Sequence, residues 1–226
     1  MVLRDPRTEP FDRIEHIAVS VREVQFRGRS GRHTGFIYRL DKAPPRLVHL
    51  RWHYNLSDEL PSVDEDLWQE LGLDEPNRVF LAGWVSQLGQ NQDAIPYGFD
   101  SGGNCFEVGT GAYIAPPPGK GLTCATFVSG VLNNLGYDLV DEASWPVRIS
   151  DLGWQTLIIH ALQDTGASQA HIDAIDADLG NIRLRPEEVA AAATVDGTLW
   201  PTTFQIVEPL SREVLAELTA ARARPV

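Results

Sequence analysis

Cys124 is the residue of this sequence whose setting most favours chemistry, because it follows a glycine- and proline-rich loop and opens an apolar helical pattern. Residues 116–119 are Pro-Pro-Pro-Gly, which cannot be helical, and Thr123 is a good N-cap residue. Apolar residues then recur at helical spacing as far as Gly136, at Phe127, Val128, Val131, Leu132 and Leu135. A thiol in the first turn of a helix lies where backbone N–H groups and the helix dipole favour its thiolate, so Cys124 is a candidate nucleophile. The alternative is a buried structural cysteine.

A nucleophilic cysteine needs a base, and the chain has six histidines: His16, His33, His49, His53, His160 and His171. His33 opens a β-prone run at 33–39, and a turn at 41–46 leads to a second run at 47–54. Two such runs about a turn predict a β-hairpin. In the second run one face carries Val48, Leu50, Trp52 and Tyr54, and the other carries His49, Arg51 and His53. The polar face is either a catalytic face or the solvated face of an antiparallel sheet.

Together these segments resemble the NlpC-type papain-like cysteine hydrolases. The resemblance rests on the His-Thr-Gly-Phe-Ile-Tyr run at 33–38, Val-His-Leu at 48–50, Ile-Pro-Tyr-Gly at 95–98 and Thr-Cys-Ala-Thr-Phe-Val at 123–128. In most of that family the cysteine precedes the histidine. Here His33 precedes Cys124, an order that resembles the circularly permuted branch, which includes lecithin–retinol acyltransferase-like enzymes, PPPDE-type isopeptidases and bacterial permuted amidases. The resemblance covers residues 14–139.

The resemblance departs from the family pattern in three places. Thr123 and Ala125 flank the cysteine where the family often has Asp or Tyr before it and Ser after it. The turn between the two histidine runs is longer than usual. A long stretch from 55 to 92 separates the hairpin from the cysteine helix, as expected for a permuted member with an insertion.

The Cys/His constellation leads to a hypothesis of thiol acyl transfer. Cys124 would attack a carbonyl as the thiolate, with His33 as imidazolium partner, and His33 would then protonate the leaving group and later activate water. The resemblance implies that His49 holds the ring of His33 in its tautomer, with His53 as the other candidate for that role. The backbone N–H of Cys124 is one expected oxyanion donor, and the resemblance implies Tyr97 as a second.

Arg51 shares the predicted face of His49 and His53. It is a candidate for binding a substrate carboxylate, or else it forms an ion pair with a surface Asp or Glu.

Composition restricts the partners and the compartment. The net charge of −12 argues against nucleic acid as a partner, since phosphate binding needs a basic surface. No segment is long and apolar enough to cross a bilayer, and residues 1–13 lack a signal-peptide core, so a cytoplasmic protein is expected. Two cysteines without a spacing motif predict neither a disulfide framework nor a metal site, and no cofactor is expected. Cys105 is expected to be a packing residue.

The pattern of elements predicts an α+β fold, in which an antiparallel sheet packs on the cysteine helix and further helices follow. We expect a papain-like core at 1–140 with a helical insertion at about 58–92, and a mostly helical elaboration of the same domain at 141–226. Predicted strands lie at 14–26, 106–108 and 203–207. Predicted helices lie at 63–71 and 79–88, after Ser150 as N-cap, from Pro186 as first residue, and at 211–222. Acidic runs at 58–59 and 64–66 are expected to begin helices.

The expected substrate is a peptide, isopeptide or other amide, including one within a protein. Two other classes stay open: an acyltransferase or thioesterase of the same superfamily, and a catalytically inactive papain-like binding or regulatory module. A toxin or effector hydrolase is a further possibility. The sequence does not indicate the oligomeric state.

Overall fold

The sheet that carries the two histidines has five antiparallel strands in the order β4-β3-β2-β1-β5. The computed structural model describes residues 3–90, 95–99 and 105–223. Within them the strands are β1 Ile17–Phe26, β2 Arg29–Tyr38, β3 Arg46–Trp52, β4 Asn55–Glu59 and β5 Leu67–Glu70. The β1–β2 turn is tight because Arg27 and Gly28 both have positive φ, which matches the right-handed twist of a hairpin.

Six α-helices complete the described part of the chain: α1 Glu75–Gln90, α2 Cys124–Asn134, α3 Ile149–Asp164, α4 Gln169–Asp176, α5 Pro186–Thr194 and α6 Phe204–Arg222. Helix α2 packs on β2 and β3, and α5 packs on β1, β2 and α2. The predicted α+β class, with an antiparallel sheet packed on the cysteine helix α2, is therefore confirmed. The division at residue 140 stays a prediction.

The predicted histidine hairpin is confirmed, since β2 and β3 pair antiparallel from Phe36–Val48 to Tyr38–Arg46. Gly35 permits the close approach of the two strands beside this ladder. A Cβ on Gly35 would lie 2.6 Å from the Cβ of His49 and 2.7 Å from the carbonyl oxygen of Val48. No larger residue fits there without moving His49, so this glycine brings His49 toward β2.

The predicted helix that begins at Cys124 is also confirmed. Thr123 is the N-cap of α2 and forms a capping box with Thr126, in which each side chain binds the backbone N–H of the other residue. Gly136 has a φ of +85°, which ends the helix as expected. Cys124 is thus the first residue of α2, and ten of the eleven helical residues are buried.

Two predicted elements are wrong. Residues 63–71 form a turn and strand β5 rather than a helix, because Trp68 and its neighbours pair with β1 and both sides of the strand are covered. Residues 203–207 begin helix α6 rather than a strand, with Thr203 as N-cap and Val207 on the buried face that also carries Val214 and Leu218. Short apolar runs fit both periodicities, and tertiary packing decides between them.

Three smaller predictions also need correction. The N-cap of α3 is Arg148, and Ser150 lies inside the helix. Asp58 and Glu59 end strand β4 instead of beginning a helix, so the 58–92 insertion contains strand β5 as well as helix α1. Residues 106–108 contribute only an isolated bridge between Phe106 and Tyr113. The helices predicted at 79–88 and from Pro186 are present as α1 and α5.

Among the residues that the structure describes, no helix has the length and apolar character needed to cross a bilayer. The cytoplasmic location stays a prediction.

Candidate active site

Cys124 lies at the base of a small cleft between the sheet and the helices that follow α2. The cleft has a volume of 80 Å³, and His33, Tyr97, Trp154 and Arg183 line it together with Cys124. Cys124 is 6% exposed, so its sulfur is reached only through this cleft. A larger cavity of 510 Å³ lies elsewhere, between β1 and the end of α6, and no cysteine, serine, threonine or histidine lines it. The small cleft is therefore the candidate active site.

The sulfur of Cys124 is a protonated thiol in the resting protein. Burial raises the pKa of this thiol to about 11, although hydrogen bonds from the backbone amides of Thr34 and Ala125 and the charge of Arg183 act to lower it. The helix N-terminus thus supplies the amide of Ala125 and strand β2 that of Thr34, but burial outweighs both. Ionisation of Cys124 requires a base that takes the proton inside the cleft.

His33, His49 and Glu59 form a hydrogen-bonded chain that leads away from the cleft. Nε2 of His33 lies 2.6 Å from Nδ1 of His49, and Nε2 of His49 lies 3.1 Å from Oε1 of Glu59. Because a carboxylate only accepts, His49 must donate its Nε2–H to Glu59, which leaves His49 Nδ1 as an acceptor. His33 then donates its Nε2–H to His49. The remaining nitrogen of His33, Nδ1, carries a lone pair and can act as a base.

Both histidines of this chain are neutral. Burial lowers the pKa of His33 well below 6.5, and the neighbouring His49, Arg22 and Arg51 lower it further. Burial also lowers the pKa of His49 to about 3, with the same two arginines contributing. The free base is therefore present at neutral pH. The structure brings His33 and His49 together as the sequence predicts, while the roles assigned to them stay predictions.

Two histidines bind the backbone of Tyr97, which lines the cleft together with Cys124. Its N–H donates to Nδ1 of His53 over 3.0 Å, and its carbonyl oxygen accepts from Nε2 of His171 over 2.9 Å. Nδ1 of His171 in turn accepts the N–H of Gly119, in the loop before α2. The phenol oxygen of Tyr97 accepts a hydrogen bond from the backbone N–H of Cys124. The two expected oxyanion donors therefore lie side by side.

His53 and Arg51 have other contacts than a catalytic role would require. His53 follows β3 and contacts Tyr97 rather than His33, so His49 is the residue that orients His33 in this structure. Nη1 of Arg51 lies 3.4 Å from Oε2 of Glu59, with 52% of the Arg51 side chain exposed. The ion pair that the sequence left open for Arg51 is formed, although Arg51 also lines the cleft.

Sequence reasoning missed three residues of this site. Glu59 was assigned to a helix start, but in β4 it lies diagonally across from His49, which faces Ser57. Arg183 and His171 reach the site only through packing of the C-terminal segments, and no local pattern marks them. Leu56 and Asp58 share the face of β4 that opposes Leu50 and Val48, so no apolar–polar alternation marks Glu59 as a strand residue.

No protein-family model, no curated protein and no solved structure matches this chain. Neither Cys105 nor Cys124 forms a disulfide bond, and in the described ranges no group of three His, Cys, Asp or Glu side chains is arranged to hold a metal ion.

Glu59 is expected to be a positioning residue for His33. In Glu59→Ala the Nε2–H of His49 loses its acceptor, so His49 can carry its proton on Nδ1 and reverse the tautomer of His33. We expect alkylation of Cys124 by iodoacetamide at pH 7, measured by intact-protein mass spectrometry, to slow about 10- to 100-fold. Glu59→Gln keeps an acceptor oxygen and should recover most of the rate.

Glu65→Ala is the matched control for Glu59→Ala, because Glu65 also pairs with Arg22 but makes no contact with His49. It should alkylate at the native rate. Equal rates in Glu59→Ala and Glu65→Ala would contradict the assigned tautomers.

Proposed function

We propose that this protein is a cysteine hydrolase that cleaves an amide, peptide or isopeptide bond by thiol acyl transfer. The observation that carries the proposal is the shared cleft of Cys124 and His33, together with the hydrogen-bonded chain from His33 through His49 to Glu59. Acyl transfer by a thiol uses a nucleophile and a base in one cleft, with a third group that orients the base. The order of His33 before Cys124, and the sheet on the nucleophile helix, suit the permuted papain-like fold that the sequence resembles.

The first step is attack by Cys124 on the substrate carbonyl carbon. As the C–S bond forms, the thiol proton passes to Nδ1 of His33 and the carbonyl π electrons move onto oxygen. The backbone N–H of Cys124 exchanges its bond to the Tyr97 phenol oxygen for one to this oxyanion, and the hydroxyl of Tyr97 donates to the same oxyanion. Since thiol and imidazole both start neutral, His33 acts as a general base at the moment of attack and not as a preformed imidazolium.

The second half of the reaction releases the amine and restores the thiol. When the tetrahedral intermediate collapses, the C–N bond breaks and His33 gives its proton to the leaving nitrogen. Water then attacks the thioester, with His33 accepting a water proton and passing it to sulfur as the C–S bond breaks. An acyltransferase or thioesterase would share these steps with a different acceptor or donor.

One observation favours a second candidate function. The pKa of Cys124 is raised to about 11 by burial, which is the state of an inert structural thiol. A papain-like binding or regulatory module without catalysis would have such a cysteine. The two functions differ in whether Cys124 forms a covalent acyl intermediate.

Acyl-enzyme trapping tests the proposal. The native protein is mixed with p-nitrophenyl acetate, and the acetylated protein is measured by intact mass and peptide mapping. We expect acetylation of Cys124, none in Cys124→Ala, a large loss of rate in His33→Ala and a smaller loss in His49→Ala. A panel of peptide and isopeptide anilides then identifies the amide class that is hydrolysed.

Cys105→Ser is the matched control, because Cys105 is the other cysteine outside a disulfide bond and is more exposed than Cys124. It should be acetylated like the native protein. Acetylation at Cys105 alone, or equal rates in native protein, His33→Ala and His49→Ala, would favour the non-catalytic module.

A further inference from the structure

The proposed catalytic cleft borders a second cavity, which has a volume of 260 Å³. The two cavities share Phe26, Gly31, Arg32, Trp154, Arg183 and Pro186 in their walls. The second cavity is bounded by the β1–β2 turn, the start of α3 and the start of α5. A molecule bound across both cavities would therefore extend from Cys124 toward Arg29 and Arg32.

The charge of the second cavity is opposite to that of the protein. The chain carries −12, yet four arginines, Arg29, Arg32, Arg183 and Arg185, line this cavity with only two acidic residues, Asp151 and Glu187. The carboxylate of Asp151 is already shared by Arg148, Arg183 and Arg185 at 3.0–3.1 Å. Among the described residues Arg29 and Arg32 have no carboxylate partner. The cavity thus has positive charge that no side chain of the described chain neutralises.

Two guanidinium groups in these walls also have unsatisfied donors. The Nε atoms of Arg32 and Arg183 are buried and have no hydrogen-bond partner in the described part of the chain. A buried donor without an acceptor costs about 1–3 kcal/mol, so such groups call for an explanation. The guanidinium of Arg183 is fixed in place, since it lies 3.6 Å over the ring of Trp154 and pairs with Asp151. Its charge also reaches both Cys124 and Tyr97.

We propose that Arg32 and Arg183 bind a carboxylate of the substrate beside Cys124, so that the enzyme acts on amides that carry a carboxyl group near the cleaved bond. This inference rests on the proposed function for the statement that the ligand is a substrate. Planar guanidinium groups match a carboxylate with paired hydrogen bonds. A carboxylate would accept from the unsatisfied donors and neutralise the unpaired charge of Arg32.

Asp151 and Glu187 leave a net lining charge of about +2 when each arginine counts as +1. This charge favours an anion and does not by itself distinguish a carboxylate from a phosphate. Inorganic phosphate is therefore a useful competitor in the test.

The test measures binding to Cys124→Ala, which cannot turn a substrate over. The probes are N-acetyl-alanyl-alanine, its C-terminal amide and N-acetylglutamic acid α-amide, each measured by isothermal titration calorimetry at low and high salt. We expect the two acids to bind at least about tenfold more tightly than the neutral amide, with the advantage reduced by salt. The stronger of the two acids shows whether the carboxylate is a chain terminus or an acidic side chain.

Variants made in the Cys124→Ala protein assign the site. Arg32→Gln should remove the advantage of the acids, and Arg32→Lys should retain part of it, because a lysine keeps the charge without the paired donors. Arg27→Gln is the matched control, because Arg27 lies in the β1–β2 turn before the strand of Arg32 but pairs with Asp164. This variant should bind the probes like the Cys124→Ala protein.

The carboxylate site would be overturned if acid and amide bound equally, if neither bound, or if Arg32→Gln left the advantage of the acids unchanged. It would also be overturned if phosphate displaced the bound acid and acetate did not. These outcomes are independent of acyl-enzyme trapping, since the binding protein lacks the thiol. Acid-selective binding without an acyl intermediate would refute the hydrolase and leave the carboxylate site standing.

Discussion

In His33→Ala, alkylation of Cys124 at pH 7 is expected to slow about 10²- to 10⁴-fold, the range typical of a lost general base. The pKa of the buried thiol is about 11, so only about one molecule in 10⁴ is ionised at pH 7 when no internal base is available. In the proposed mechanism Nδ1 of His33 accepts the proton within the cleft as the thiol attacks. The iodoacetamide rate, followed by intact-protein mass spectrometry in a Cys105→Ser background, should therefore be nearly constant from pH 7 to pH 9.

The shape of the pH profile separates a lost base from a general disturbance of the cleft. Without His33 the rate should rise about tenfold per pH unit toward pH 11, as expected for a solvent-ionised thiol. His160→Ala removes an exposed histidine of α3 and is the control that should keep the native profile. Superimposable profiles for native protein and His33→Ala would remove His33 from the mechanism.

The folded protein is expected to lose stability steeply between pH 6.5 and pH 4. Burial lowers the pKa of His49 to about 3, and burial together with His171 lowers that of His53 to about 4, whereas both titrate near 6.5 in the unfolded chain. Between these values the unfolded state binds more protons. The contribution to stability is therefore complete above pH 6.5 and is lost as the pH falls toward the folded pKa values.

The size of the acid effect follows from the two histidines whose shifts are known. His49 contributes about 2 kcal/mol less at pH 5 than at neutral pH. His53 is only half-buried, so solvent screening reduces its share to about 1 kcal/mol. His33, whose pKa is also lowered, adds in the same direction. A loss of about 3 kcal/mol or more is large against a typical stability of about 5–15 kcal/mol. Burial raises the pKa of Asp66, which offsets part of the loss at the acid end of this range.

Urea unfolding at half-unit pH intervals measures this effect. His53→Asn keeps an acceptor for the N–H of Tyr97 but does not titrate. On the acid side, the slope of its free energy of unfolding against pH should therefore be smaller than the native slope by the contribution of one proton. His160→Asn alters an exposed histidine and should reproduce the native slope. A native free energy of unfolding that stays flat from pH 7 to pH 4.5 would show that the three histidines are not neutral and buried in solution.

The parts of the site that the sequence predicts are those that depend on local patterns. Alternation along residues 47–54 and the turn before them place His49 beside His33, and the capped apolar helix places Cys124 at its first position. Glu59 was missed because its acidic run at the end of a short strand also fits the start of a helix. Periodicity alone could not separate the two, and the pairing of β4 with β3 decides the matter.

The remaining contributors come from segments that are distant along the chain. Arg183 approaches Cys124 because α3 and α5 pack over the cleft. His171 contacts Tyr97 although the two residues are 74 positions apart in the sequence. No pattern in the sequence specifies such contacts, since they depend on how the layers pack. Strand β5 and the first turn of α6 were misassigned for the same reason.

The protonated resting state of Cys124 has a consequence for oxidative damage. Peroxide reacts with thiolates far faster than with thiols, and a sulfenic acid formed on a catalytic cysteine leads on to irreversible sulfinic and sulfonic acids. A cysteine that yields its proton only during attack on a substrate exposes almost no thiolate between turnovers. Under the proposed mechanism, the burial that raises the pKa of Cys124 therefore also slows its oxidation between turnovers.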